Sequence, residues 1–524
     1  MTPRPGLPSE TGGAARARPF LLRRTAIGGA LLGASLLLAG LSVAAADRGA
    51  GAALAAPGAA APWQSLMEFP NPEGRVGVVL EGEPVDPATH PFFQPIGPYG
   101  RACASCHRPA DAMSLSLRTI RGEWDRQGAA SPLFAAYDGS NCPSLPQGDA
   151  KSHSILLSRG AFRIALPWPP KRLDGTTVEP NFSLRVINDP TGCNLDPLYG
   201  LDSNDPRVSV FRRPRMTANL RYILNVMHER NGKTQAPLDR DPETGALVSM
   251  SLLSDARLPT LKTQADDALT QHMGLTAPLD RALLDQIVDF ERRVYVAQNH
   301  SSRAGPLPGG PRALGAEAMR RERHGLNGND RDTGVFFNFD EWAAQPGSDG
   351  REGDAGAAFR ASVARGNDIF FNRPFWISDV VGINTIRLGN PYKQTCAFCH
   401  NTQMTGHDDV PGWMDLGTVN FPRSRPSPDL PTFEIVCKPN AAPHPYLGRR
   451  IYTSDPGRAL VTGKCEDVGG LVMQQFRGMA AREPYFANGS AATIREVVEF
   501  YDQRFNIGYT EQEKTDLTNF LSVL

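Results

Sequence analysis

The sequence predicts a mainly α fold in two units with long loops, and three observations predict it. Near the C-terminus, Ile494, Val497, Val498, Tyr501 and Phe505 recur at 0, +3, +4, +7 and +11, one face of a helix. Thr493 and Glu496 form a capping box at its start, and Thr510 and Glu513 open a last helix with the stripe Leu517, Phe520, Leu521 and Leu524. Just past the middle of the chain, DRALLDQIVDFERRVYVAQ sets Leu283, Leu284, Ile287, Val288 and Val294 at helical spacing, with Asp280 as its cap. Third, 51 glycines and 45 prolines predict long loops rather than regular repeats.

A chain of 524 residues is too long for one ordinary domain. Arginines 16, 18, 23 and 24 precede an uncharged run to Ala46 that ends in small residues. It reads as a signal peptide over 1–46 with cleavage after Ala44-x-Ala46; an uncleaved anchor is the alternative. Residues 47–65 read as a linker, 66–300 as a first unit, 301–355 as a Gly/Pro/charge-rich connector, and 356–524 as a second unit. With 55 basic and 55 acidic residues the chain has no net charge, which argues against nucleic acid or an anionic membrane surface as main partner.

Cys103 to His107 reads CASCH and Cys396 to His400 reads CAFCH. In C-x-x-C-H each thiol can add to a vinyl group of one haem while the histidine reaches the iron. Zinc would want a second cysteine pair nearby, and a dithiol redox pair has no need of the histidine. The motifs therefore predict two covalently bound c-type haems, on Cys103, Cys106 and His107 and on Cys396, Cys399 and His400. Covalent haem attachment outside the cytoplasm agrees with export to the periplasm. The four remaining cysteines suggest disulfides Cys142–Cys193 and Cys437–Cys465, by proximity and by the division into units.

From these motifs outward, the chain resembles the diheme cytochrome c peroxidase and MauG family, its longer members in particular. The resemblance covers most of the chain after about Phe93. It is carried by RGNDIFFNRPFWIS ahead of CAFCHNT, by DPGRALVTGKCEDVGG, by FRGMAAREPYFANGSAATIREVVEFYDQRF, and in the first half by FRRPRMTANLRYILNVM and LKTQADDALTQHMG. It implies two mostly helical cytochrome c-like domains. The first haem would meet hydrogen peroxide, and the second would relay electrons from a small exported cytochrome or copper protein. A MauG-like long-range oxidase, a haem oxygenase and a plain diheme electron-transfer protein are the alternatives. A homodimer is left open.

The resemblance also suggests roles. Gln264 matches a glutamine beside the first haem, and His272 stands where relatives carry a glutamate. A neutral histidine can take a proton from one peroxide oxygen and return it to the other. His272 as sixth ligand, or as a packed histidine, is the competing reading. Tyr501 holds the position of the second haem's sixth ligand; the alternatives are a core aromatic, or ligation by Met473, Met479, His407 or His444. Three departures stand out. His228 replaces a tryptophan that bridges the haems in many relatives, so Trp376 and Trp413 are left as core packing. Ala487 replaces a histidine after PYF. Arg213 replaces an asparagine of an interdomain calcium site, leaving calcium to backbone carbonyls near Arg482 and Pro484. A stretch from Gly232 to Leu258 is additional.

Overall fold

The computed structural model describes Trp63 and residues 66–224, 251–307, 314–321, 339–343, 355–400, 405–406 and 413–524, with the backbone of 229–230 and 233–234. The signal peptide, nearly all of the linker, His228, His407, most of 232–258 and much of the connector lie outside the described residues.

The mainly α expectation is overturned. Among the described residues 12 helices stand beside 13 strands in five antiparallel sheets, 32% helix against 20% strand, leaving aside a pair of two-residue strands at 229–230 and 233–234. The missed strands are short runs of β-branched and aromatic residues bounded by turns, which helical periodicity does not report. Gly74–Leu80 and Val294–Ser301 pair at the centre of a four-stranded sheet flanked by Met67–Asn71 and Gly305–Pro306. The helix expected to include Val294 instead ends at Arg293, and Val294 opens a strand. Its predicted start holds: the Asp280 carboxylate accepts from the amides of Ala282 at 2.9 Å and Leu283 at 3.4 Å.

The C-terminal helices follow the sequence closely. Ile494–Phe505 starts at Thr493, whose hydroxyl accepts from the Glu496 amide at 3.2 Å. Glu511–Ser522 has the full box, with the Glu513 carboxylate accepting from the Thr510 amide at 2.8 Å. That helix crosses Ala355–Asn372 at Gly366, where a Cβ would lie 2.1 Å from the Asp516 carbonyl oxygen. Only glycine permits so close a crossing.

The halves on either side of the connector are joined by secondary structure. Phe182–Asn188 pairs with Thr432–Cys437, which pairs in turn with Arg450–Thr453. Behind this sheet, Arg212 is buried between two carboxylates, Asp455 at 2.7 Å and Asp255 at 2.5 Å. Cys142 is bonded to Cys193 and Cys437 to Cys465, with Cα–Cα separations of 5.0 and 5.6 Å. Closing loops of this length removes about 4 kcal/mol of unfolded-chain entropy each in the chain-entropy model. Two such bonds are compatible with an exported protein. Among the described residues no helix is long and apolar enough to cross a membrane.

Candidate functional site: two cavities, each built on one CxxCH

Each pentapeptide forms a single helical turn, Cys103–Cys106 and Cys396–Cys399. Residues three apart on a turn share a face, so both thiols of each pair point the same way, with the histidine just beyond. All four cysteines lie outside the two disulfides. Each turn lines its own cavity, one at Cys103, Cys106 and His107 and the other at Cys396, Cys399 and His400.

The two histidines are prepared alike. His107 Nδ1 lies 3.2 Å from the Met113 carbonyl oxygen, and His400 Nδ1 lies 3.0 Å from that of Gly406. A proton donated from Nδ1 leaves the lone pair on Nε2, the form that binds a metal. Burial pushes both imidazoles down to about 4, so both are neutral near pH 7.

In the first cavity the helix Leu261–Gln271 presents Gln264, Ala268 and, at its C-terminal cap, His272. Four-residue spacing puts the three on one face. His272 Nδ1 is 2.7 Å from a carboxylate oxygen of Asp138. Asp138, 3% exposed, is held in turn by Arg101 at 2.5 Å. Arg101 also donates to the carbonyl oxygens of His272, Pro132 and Leu133 at 2.9, 2.7 and 3.0 Å. Burial alone would raise Asp138, but the Arg101 charge and the contact with His272 hold it below the usual carboxylate range. The result is an imidazole fixed at one nitrogen by an ionised carboxylate. Sequence reasoning missed Asp138 and Arg101; Asp138 lies 134 residues from His272, and no local pattern links them. Also missed was Glu291, a buried cavity residue whose carboxyl is pushed up to about 8 by burial.

In the second cavity, Tyr501 projects from Ile494–Phe505 with its Oη 3.5 Å from His400 Nε2. The phenol therefore faces the nitrogen that would carry iron. Burial first, then the nearby Cys399 and Cys396, raise the phenol above its ordinary range. Met473 and Met479 also line this cavity. His444 does not: Asp415 takes its Nε2 at 3.1 Å, and its Nδ1 accepts from the amides of Tyr446 and Leu447. Were a haem held at His400 with Tyr501 as its sixth ligand, Tyr501→Phe would replace that ligand's signature in absorption and EPR spectra; an unchanged low-spin signal would reject ligation by Tyr501.

Trp376 is corrected from core packing. Its strand, Phe375–Ile377, turns Phe375 and Ile377 inward to the second cavity, and strict alternation sends Trp376 out, 54% exposed. Trp413 is half-buried against Gly470.

Arg213 and Pro214 line both cavities. Beside them Arg215 lines the first and Arg482 the second. These guanidiniums donate to backbone carbonyls: Arg213 to Arg482 and Leu115, Arg215 to Val472 and Met473, Arg482 to Gln475. None has a carboxylate partner within ion-pair distance among the described residues, and Nε of both Arg213 and Arg482 is buried without a partner. Two buried cations, Arg213 and Arg482, and the half-buried Arg215, none with a carboxylate at ion-pair distance, suit a ligand that brings carboxylates. Haem does so, and the thiol pairs, neutral histidines and mostly apolar cavity linings fit it as well. Among the described residues no group of three His, Cys, Asp or Glu side chains is arranged to hold a bare metal ion.

No family model, curated protein or solved structure matches this chain.

Proposed function

We propose that this protein is an exported, periplasmic two-haem oxidoreductase of the diheme cytochrome c peroxidase type, reducing hydrogen peroxide at the first cavity. The observation that carries the reading is the Arg101–Asp138–His272 chain on the wall of the cavity that holds His107. Cys103, Cys106 and His107 would hold one haem, and Cys396, Cys399, His400 and Tyr501 the other. When bound, haem supplies the redox-active iron that peroxide reduction needs.

The chain's own residues manage the protons. Each peroxide takes up two electrons and two protons and leaves as two waters. His272 Nε2 accepts the proton of one peroxide oxygen and returns it to the departing oxygen. Asp138 keeps the other nitrogen protonated, orients the ring and balances the imidazolium charge, while Arg101 keeps Asp138 ionised. Gln264, on the same helix face, can donate an amide hydrogen bond to the substrate. Electrons would come from a small exported donor protein through the second haem.

Tyr501 facing His400 favours a second reading, a MauG-like enzyme that withdraws electrons from a protein residue at a distance, because phenolate favours oxidised iron. Stopped-flow absorption of the diferric and half-reduced protein mixed with peroxide tests the proposal. A rapid haem spectral change in either state is the expected result. No change in both states would leave a plain electron carrier.

A further inference from the structure

The resemblance implies a calcium ion between the two halves, and the residues present do not fit it. Calcium takes six to eight oxygen ligands at about 2.3–2.6 Å. The asparagine expected to supply one is Arg213. The carbonyl oxygen of Arg482, on which a calcium would depend, already accepts from Arg213 Nη1 at 2.8 Å. Arg213 Nη2 donates to the carbonyl of Leu115. One guanidinium thus gathers two carbonyls, one from each half of the chain. The backbone amide of Arg213 adds a third tie, to the Ala487 carbonyl at 2.7 Å, and the Leu117 amide a fourth, to the Glu483 carbonyl at 2.9 Å. A dication at these carbonyls would lie against a buried like charge.

We propose that the Arg213 guanidinium is itself the resident cation of this junction, so that the two halves are clasped without calcium. Several observations agree. Arg213 is buried, and its charge persists: burial and then the neighbouring Arg482 bring it down to about 10, still protonated at neutral pH. The acids whose charge reaches Arg213 are Glu483 and Asp111; burial raises both, and neither stands at ion-pair distance from the guanidinium among the described residues. Arg213 also lines both cavities, so its fixed charge acts on whatever anionic groups each one holds. A guanidinium cannot be removed by a chelator, so the link between the cavities is permanent rather than gated by an ion.

The test uses the full-length holoprotein. Purified protein is expected to contain no stoichiometric calcium by elemental analysis, and neither EGTA nor millimolar calcium should move its melting temperature. Arg213→Lys, which keeps the charge, should behave likewise with a lower melting temperature. Arg213→Asn, which vacates the carbonyls and adds an oxygen ligand, should melt several degrees lower and recover part of the loss in calcium. Calcium bound one-to-one by the wild-type protein, or its melting temperature falling in EGTA, would overturn the proposal even if Arg213→Asn does not fold. A folded Arg213→Asn protein that ignores calcium would overturn it as well.

Discussion

Replacing His272 with alanine is expected to slow the reaction with peroxide by about 10²–10⁴-fold, the usual contribution of a positioned general base. Asp138→Asn should lose much of the same factor while leaving His272 in place. An amide can turn its NH₂ toward Nδ1 and force the proton onto Nε2, where the base is needed. Second-order rate constants from stopped-flow mixing, taken across pH, check both. The competing role makes the opposite forecast. Were His272 the sixth ligand of the first haem, its removal would open the iron, and peroxide would react faster. Unchanged kinetics in both variants would show the Asp138 contact to be structural only.

The second large effect is on stability. Arg212→Met is expected to cost about 3–5 kcal/mol, because it strands buried carboxylates without their cation. Asp255 keeps Arg257 at 3.1 Å, so Asp455 is the group left exposed to the full penalty. Urea unfolding at pH 7 measures this, and a loss below about 1 kcal/mol would reject it. The pH dependence follows from Asp255. Burial would raise its carboxyl, but Arg257 and Arg212 overcome this and hold it far below the usual range. Its stabilisation is complete above the unfolded value near 4 and is lost as pH falls through the lower folded value. Arg212→Met should therefore show a shallower loss of stability below pH 4 than the wild type.

The two cavities were legible from the sequence to very different depths. CASCH and CAFCH are contiguous, and a single helical turn puts both thiols on one side with the histidine just beyond, so five letters suffice to specify each. Tyr501 was legible because it shares a helical face with Ile494, Val498 and Phe505. His272 and Gln264 could be named from the family resemblance of LKTQADDALTQHMG. What holds His272 in place could not, because Asp138 and Arg101 are brought in from distant loops. The arginines between the cavities read as ordinary polar residues until their burial and carbonyl partners are seen.

What the sequence by itself determined is therefore local: the two CxxCH turns, the capped C-terminal helices, the Asp280 cap and the pairing of cysteines within each half. Such features are set by neighbours a few residues apart, where spacing and geometry are equivalent. The tertiary structure alone decided the large β content, the sheet shared by Phe182–Asn188 and Thr432–Cys437, the outward turn of Trp376 and the clasp at Arg213. Strand pairing and buried charge are properties of partners far apart in the chain. Whether an arginine is a solvated surface charge or a buried cation depends on what folds around it.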